Sequence, residues 1–154
     1  MKKLLFMMLF LISRVDASEC ANGEIVIASC TLKDRGEAVF CLNKPSGDLY
    51  YSFKKNNTLE LKVTFTKTNK LKRWVDLGTY TTYFGFINEG FGYSLGVPEE
   101  KPNARAFLNV RRNGKLISLR DCESNSFGEK EIKSDKIEEM NDLEVRNNGF
   151  KFPY

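Results

Sequence analysis

The chain has 154 residues, with 24 Lys and Arg against 20 Asp and Glu, a net charge of +4, 42 % hydrophobic residues and 12 % aromatic. This supplies apolar material for one real core and excludes wholesale disorder. There are four cysteines and no histidine, which excludes Ser–His and Cys–His catalysis, His-ligated zinc and histidine proton shuttles.

Residues 1–17 read as an export signal. Lys2 and Lys3 precede a nine-residue apolar run from Leu4 to Ile12, too short to span a bilayer. Val15 and Ala17 suit a cleavage site that leaves Ser18 as the mature start. Cleavage removes Lys2, Lys3, Arg14 and Asp16 from the totals of 24 and 20, and the net charge falls from +4 to +2. No later run is long enough to cross a membrane, so the mature product is expected to be periplasmic or secreted and free of the membrane.

Export decides the reading of Cys20, Cys30, Cys41 and Cys122. An even number in an oxidising compartment implies two disulfides. The spacings of 10, 11 and 81 lack a zinc knuckle, so no metal is expected. Segments 25–33 and 38–43 flank the turn Asp34-Arg35-Gly36-Glu37. A four-residue loop there sets Leu32 opposite Val39 and Cys30 opposite Cys41, within disulfide reach. Cys30–Cys41 is therefore the favoured bridge, with Cys20–Cys122 as the second.

Further strands follow at 49–54, 58–67, 79–87 and 90–97. In 58–67, Leu59, Leu61, Val63 and Phe65 alternate with polar residues, as in a half-buried antiparallel strand. Segment 67–76, which holds the single tryptophan, reads as a basic, polar connection. Segments 104–112 and 115–122 flank Asn113-Gly114, a strong hairpin signal because both residues tolerate positive φ. With Arg112 opposite Lys115, Val110 faces Ile117 and Leu108 faces Leu119. About eight strands connected by short turns predict an all-β domain over 18–123, an antiparallel β-sandwich or flattened barrel. The polar tail, 124–154, reads as frayed or as one short helix capped by Ser134, with Ile137, Met140 and Leu143 at loose helical spacing.

Candidate chemistry is sparse. Glu99-Glu100 sits beside prolines and reads as a solvated loop, and Ser46 near Lys44 sits in a Pro-Ser-Gly turn for backbone reasons. The basic clusters at 67–73 and 111–115 read as solvated surface, which with export argues against a nucleic-acid partner. The dense aromatics between Tyr50 and Tyr93 are mostly assigned to the core, with glycan binding the alternative. No enzymatic activity and no cofactor are expected, and a homodimer is left open.

Several pieces in order carry a resemblance: Ser29-Cys30-x-Leu32, Val39-x-Cys41, Leu49-Tyr50-Tyr51-x-Phe53, Phe86-x-Asn88-x-Gly90-x-x-Tyr93, and Val110-Arg111-Arg112-Asn113-Gly114-Lys115 ending at Asp121-Cys122. Over roughly 29–122 the succession resembles bacterial periplasmic lysozyme inhibitors, particularly the group acting on invertebrate-type lysozymes, and their exported relatives. The resemblance implies a non-enzymatic antiparallel β fold with a protruding loop that enters the lysozyme cleft, where Ser-Gly…Tyr hydroxyls meet the catalytic carboxylates. By position that loop is Glu89-Gly90-Phe91-Gly92-Tyr93, with Glu89 where the family has serine. The rival loop is Ser46-Gly47-Asp48-Leu49-Tyr50, which spells the Ser-Gly-x-x-Tyr motif of inhibitors of c-type lysozymes.

Overall fold

Two disulfides join segments that β-pairing alone would leave apart: Cys20–Cys41 and Cys30–Cys122, with Cα separations of 5.8 and 5.2 Å. The computed structural model describes residues 20–99, 104–123 and 128–154. The export signal, its cleavage site and Glu100 lie outside the described residues.

Among the described residues, ten strands and one helix form an all-β sandwich. The first sheet is a meander of β1 (Ile25–Thr31), β2 (Gly36–Asn43), β3 (Asp48–Lys55) and β4 (Thr58–Phe65). The second runs in the order β10-β5-β6-β7-β8-β9. Its members are β5 (Leu71–Asp76), β6 (Thr81–Asn88), β7 (Phe91–Val97), β8 (Phe107–Arg112), β9 (Lys115–Asp121) and β10 (Ile137–Met140). Neighbours are antiparallel except β10, which lies parallel to β5.

The core lies between the sheets. Phe40, Tyr51 and Phe65 of the first meet Phe84 and Phe86 of the second, with ring centroids 4.8–5.8 Å apart for Tyr51–Phe86, Phe65–Phe86 and Phe40–Phe84. Such tilted and edge-on packing suits the aromatic quadrupole.

The favoured Cys30–Cys41 pairing is corrected. The turn is tighter than a four-residue loop, because the Leu32 amide donates to the Gly36 carbonyl and Arg35 takes φ 62°. Cys30 therefore stands opposite Ala38, and Val26 opposite Cys41, with Ile27 as an extra bulge residue. Cys30 faces the inter-sheet core, where Cys122 meets it. Cys41 lies on the other face with Cys20, Val39 and Tyr50. In the chain-entropy picture, a bridge spanning 92 residues stabilises by about 4.6 kcal/mol and one spanning 21 by about 3 kcal/mol.

Two other bulges redirect side chains. On β4, Phe53 pairs with Leu61 and Lys54 with Leu59, so Glu60 is the extra residue and Leu59 turns outward, 52 % exposed. On β9, Arg111 pairs with Leu116 but Val110 with Ser118, so Ile117 is extra. Val110 and Leu108 therefore face Ser118 and Arg120, not Ile117 and Leu119.

The connection 67–76 and the tail are also corrected. Residues 71–76 form β5, whose basic Arg73 is buried because its guanidinium makes four hydrogen bonds. Its guanidinium pairs with Glu139 and donates to the carbonyls of Lys130 and Ile132 at 2.7 and 2.8 Å. Ile137 and Met140 belong to strand β10, and Ser134 accepts from Lys136 in a turn instead of capping a helix. The helix, α1 (Asp142–Asn147), is capped by Asn141 and buries Val145. The chain end then crosses the outer face of the second sheet, where Phe152 packs with Trp74 and Tyr83.

Candidate functional site

The Glu89-Gly90 segment is a two-residue hairpin turn, not a protruding loop. Asn88 pairs with Phe91, and Glu89 and Gly90 take φ 51° and 80°, the left-handed pair that such turns require. Gly90 serves that backbone need, whereas Glu89 adopts it as a non-glycine residue.

The Asn113-Gly114 turn lies beside it, with φ 49° and 76°. The two are tied together. The Gly90 carbonyl accepts from the Asn113 amide at 3.4 Å and from the Tyr154 hydroxyl at 3.1 Å. The same hydroxyl lies 3.3 Å from the Arg111 carbonyl, and the Arg111 guanidinium closes its own turn on the Gly114 carbonyl at 3.0 Å. The tip so formed exposes Glu89, Gly90, Arg112, Asn113 and Lys115. The Arg112 guanidinium lies 5.4 Å over the Phe91 ring, which keeps the cation at the tip.

Tyr93 points the other way, into the sandwich. It is half-buried and stacks on Phe86 with centroids 5.1 Å apart. Burial raises its pKa, and the nearby Glu89 carboxylate adds to the rise. Glu89 and Tyr93 thus share one neighbourhood, but they do not form one protruding motif. Between them opens a cavity of about 460 Å³ at the end of the sandwich. Tyr51, Phe53, Tyr93 and Leu108 form its apolar wall, and Glu60, Glu89, Ser118 and Arg120 supply the polar lining. The β4 bulge is what brings Glu60 there.

The rival loop is occupied internally. Ser46 donates its hydroxyl to Asp48 at 2.7 Å, and Gly47 takes φ 69° to close the turn. Tyr50 lies on the outer face of the first sheet beside Cys20–Cys41, where its hydroxyl donates to Glu24 at 2.5 Å. Burial, with help from that carboxylate, raises its pKa to about 12. Ser46 and Tyr50 are therefore not brought together as a hydroxyl pair. Cys20, Glu24 and Cys41 are the one cluster of metal-ligating type among the described residues, and both sulfurs are bonded to each other.

Tyr154 joins the site from within the polar tail, where its own surroundings in sequence do not mark it. Its signal is the alternation Gly92, Ser94, Gly96 along β7. Small residues on one face of a strand mark a close approach by something else. A Cβ at Gly92 would stand 2.6 Å from the Tyr154 ring, and one at Gly85 2.5 Å from Phe152.

Comparison with protein-family models, with curated proteins and with solved structures finds no match to this chain. The two disulfides fit an oxidising, extracellular-type compartment. Among the described residues no helix is long and apolar enough to cross a membrane.

Proposed function

We propose that this chain is an exported, periplasmic or secreted, non-catalytic protein that binds a partner through the paired turns at Glu89-Gly90 and Asn113-Gly114. The partner class implied by the resemblance is a lysozyme, whose cleft the tip would occlude. The observation that carries the reading is the shared Gly90 carbonyl. Accepting from both Asn113 and Tyr154, it holds two turns as one unit before any partner arrives. A preformed tip avoids the ordering cost that a flexible loop would pay on binding.

The tip's charge refines the resemblance. Glycosidase clefts work with a pair of carboxylates. Glu89 stands where the family has serine and repels such a pair, while Arg112 and Lys115 attract it. Arg112 is therefore assigned the main contact and Glu89 an opposing one. Tyr93 supports the turn from within.

The test is peptidoglycan lysis by c-, g- and i-type lysozymes in the presence of oxidised protein. Slowing of one class at near-stoichiometric ratio is the expected result, strengthened by Glu89→Ser and weakened by Arg112→Glu. No slowing of any class overturns the lysozyme reading.

A second reading has its own observation. The aromatic wall and the two carboxylates that line the cavity, Glu60 and Glu89, suit a glycan ring, which stacks on aromatic faces and donates hydroxyls to carboxylates. Saturable binding of soluble peptidoglycan fragments, lost in Tyr93→Ala, would favour it.

A further inference from the structure

Sheet edges in this protein are guarded unequally. The outer edge of β1 is covered by later chain, since the Glu123 and Glu129 amides donate to the carbonyls of Thr31 and Val26. β4 carries Glu60 and Lys62 mid-strand, and β10 is only four residues long. Covering, charge and shortness are the usual defences of an edge. β9 lacks all three. It runs seven residues, and no other segment among the described residues pairs with its outer edge. Its middle, Leu116-Ile117-Ser118-Leu119, bears no charge, and Leu116, Ile117 and Leu119 are 42, 54 and 58 % exposed.

β9 carries Lys115 at its start and Arg120 and Asp121 at its end, and Arg120 is already paired with Asp34 of the same copy. Lys115 opens the strand, while Asp121 closes it and Glu123 follows. A second copy laid antiparallel therefore sets Lys115 against the partner's Asp121 and Glu123 at both ends. Ile117 and Leu119 meet their counterparts between. A parallel copy would oppose like charges instead. This is the self-complementarity that a twofold interface demands.

From this we infer that β9 is the seam of a homodimer, formed by antiparallel edge-to-edge pairing of β9 with β9 of a second copy. The two six-stranded sheets become one continuous sheet. Because the pairing is antiparallel, the two turn tips point to opposite ends, and Glu89, Gly90 and Arg112 stay open while Lys115 is drawn into the seam. A seam of one strand per subunit lies at the small end of interface sizes, so dissociation in the micromolar range is expected.

Sedimentation of the oxidised protein across the micromolar range tests this without any lysozyme, so its failure leaves the tip reading standing. Wild type is expected to pass from monomer to dimer. Leu119→Lys, at an exposed position that the fold does not need, should raise the dissociation constant about tenfold or more. Lys115→Glu should weaken the dimer, and Lys115→Glu with Asp121→Lys should restore it. Leu143→Lys, on the exposed side of α1, should change nothing. A monomer throughout the range overturns the inference. So does a dimer indifferent to Leu119→Lys, or a double charge swap that fails to rescue.

Discussion

Gly92 and Tyr154 occupy one space: a Cβ on Gly92 would lie 2.6 Å from the Tyr154 ring. A glycine in β7 thus lets the last residue of the chain reach the tip and cap the Gly90 and Arg111 carbonyls. Gly92→Ala should displace Tyr154 and cost about 1–2 kcal/mol. Tyr154→Phe keeps the ring and loses the hydroxyl, costing about 1 kcal/mol. Urea unfolding measures both, and faster amide exchange at Asn113 should accompany each. Gly85→Ala should be worse, because the Tyr93 backbone carbonyl, 2.9 Å from a Cβ there, cannot swing away.

Arg73 holds the tail to β5. Arg73→Met leaves the Lys130 and Ile132 carbonyls without their donor and should cost about 2–4 kcal/mol. Glu139→Gln should cost less, since Glu139 is 61 % exposed and can be hydrated. Comparison of the two denaturant midpoints checks the order.

The bridges should differ in worth. Cys30→Ala with Cys122→Ala should lose about 4.6 kcal/mol, and Cys20→Ala with Cys41→Ala about 3 kcal/mol. Peptide mapping without reduction should recover Cys20–Cys41 and Cys30–Cys122. A Cys30–Cys41 peptide would mean a different register of β1 on β2.

At high pH the tyrosines set the limit. Tyr50, Tyr51, Tyr83 and Tyr93 all lie above the ordinary value of 10, in each case chiefly through burial. Their folded forms hold the proton more tightly than the unfolded chain does. Stability is therefore complete below pH 10 and falls as pH rises through about 12, where Tyr50 ionises. Tyrosine difference absorbance followed together with thermal midpoints should show the midpoint falling before Tyr50 titrates.

Much of the sandwich is legible in sequence because its meanders join through short turns and alternate cleanly. Asn113-Gly114 set its closing pair correctly, and Phe65 took the inward place that its strand pattern gave it. What is not legible follows from single extra residues. Ile27, Glu60 and Ile117 each insert into a strand, and one insertion changes which side chains oppose. With the tight turn at Arg35, this defeated the disulfide pairing and the Val110–Ile117 contact. β5 looked like a loop because Arg73 is basic, and its partners come from 57 to 66 residues away. The site was half legible. The Asn113-Gly114 turn was visible as a turn, whereas Gly90 was read as the start of the next strand and the break one residue early, at Asn88-Glu89. The coupling of the two turns was not visible, because it runs through Tyr154 at the end of a tail whose composition reads as polar.

The location of binding tests the central claim most directly. Nitrogen-15-labelled protein would be titrated with each class of lysozyme while its amide signals are followed. One class is expected to perturb Glu89, Gly90, Phe91 and Arg112–Lys115 and to leave Ser46-Gly47 unmoved. Perturbation centred on Ser46–Tyr50, or none with any class, would contradict the claim.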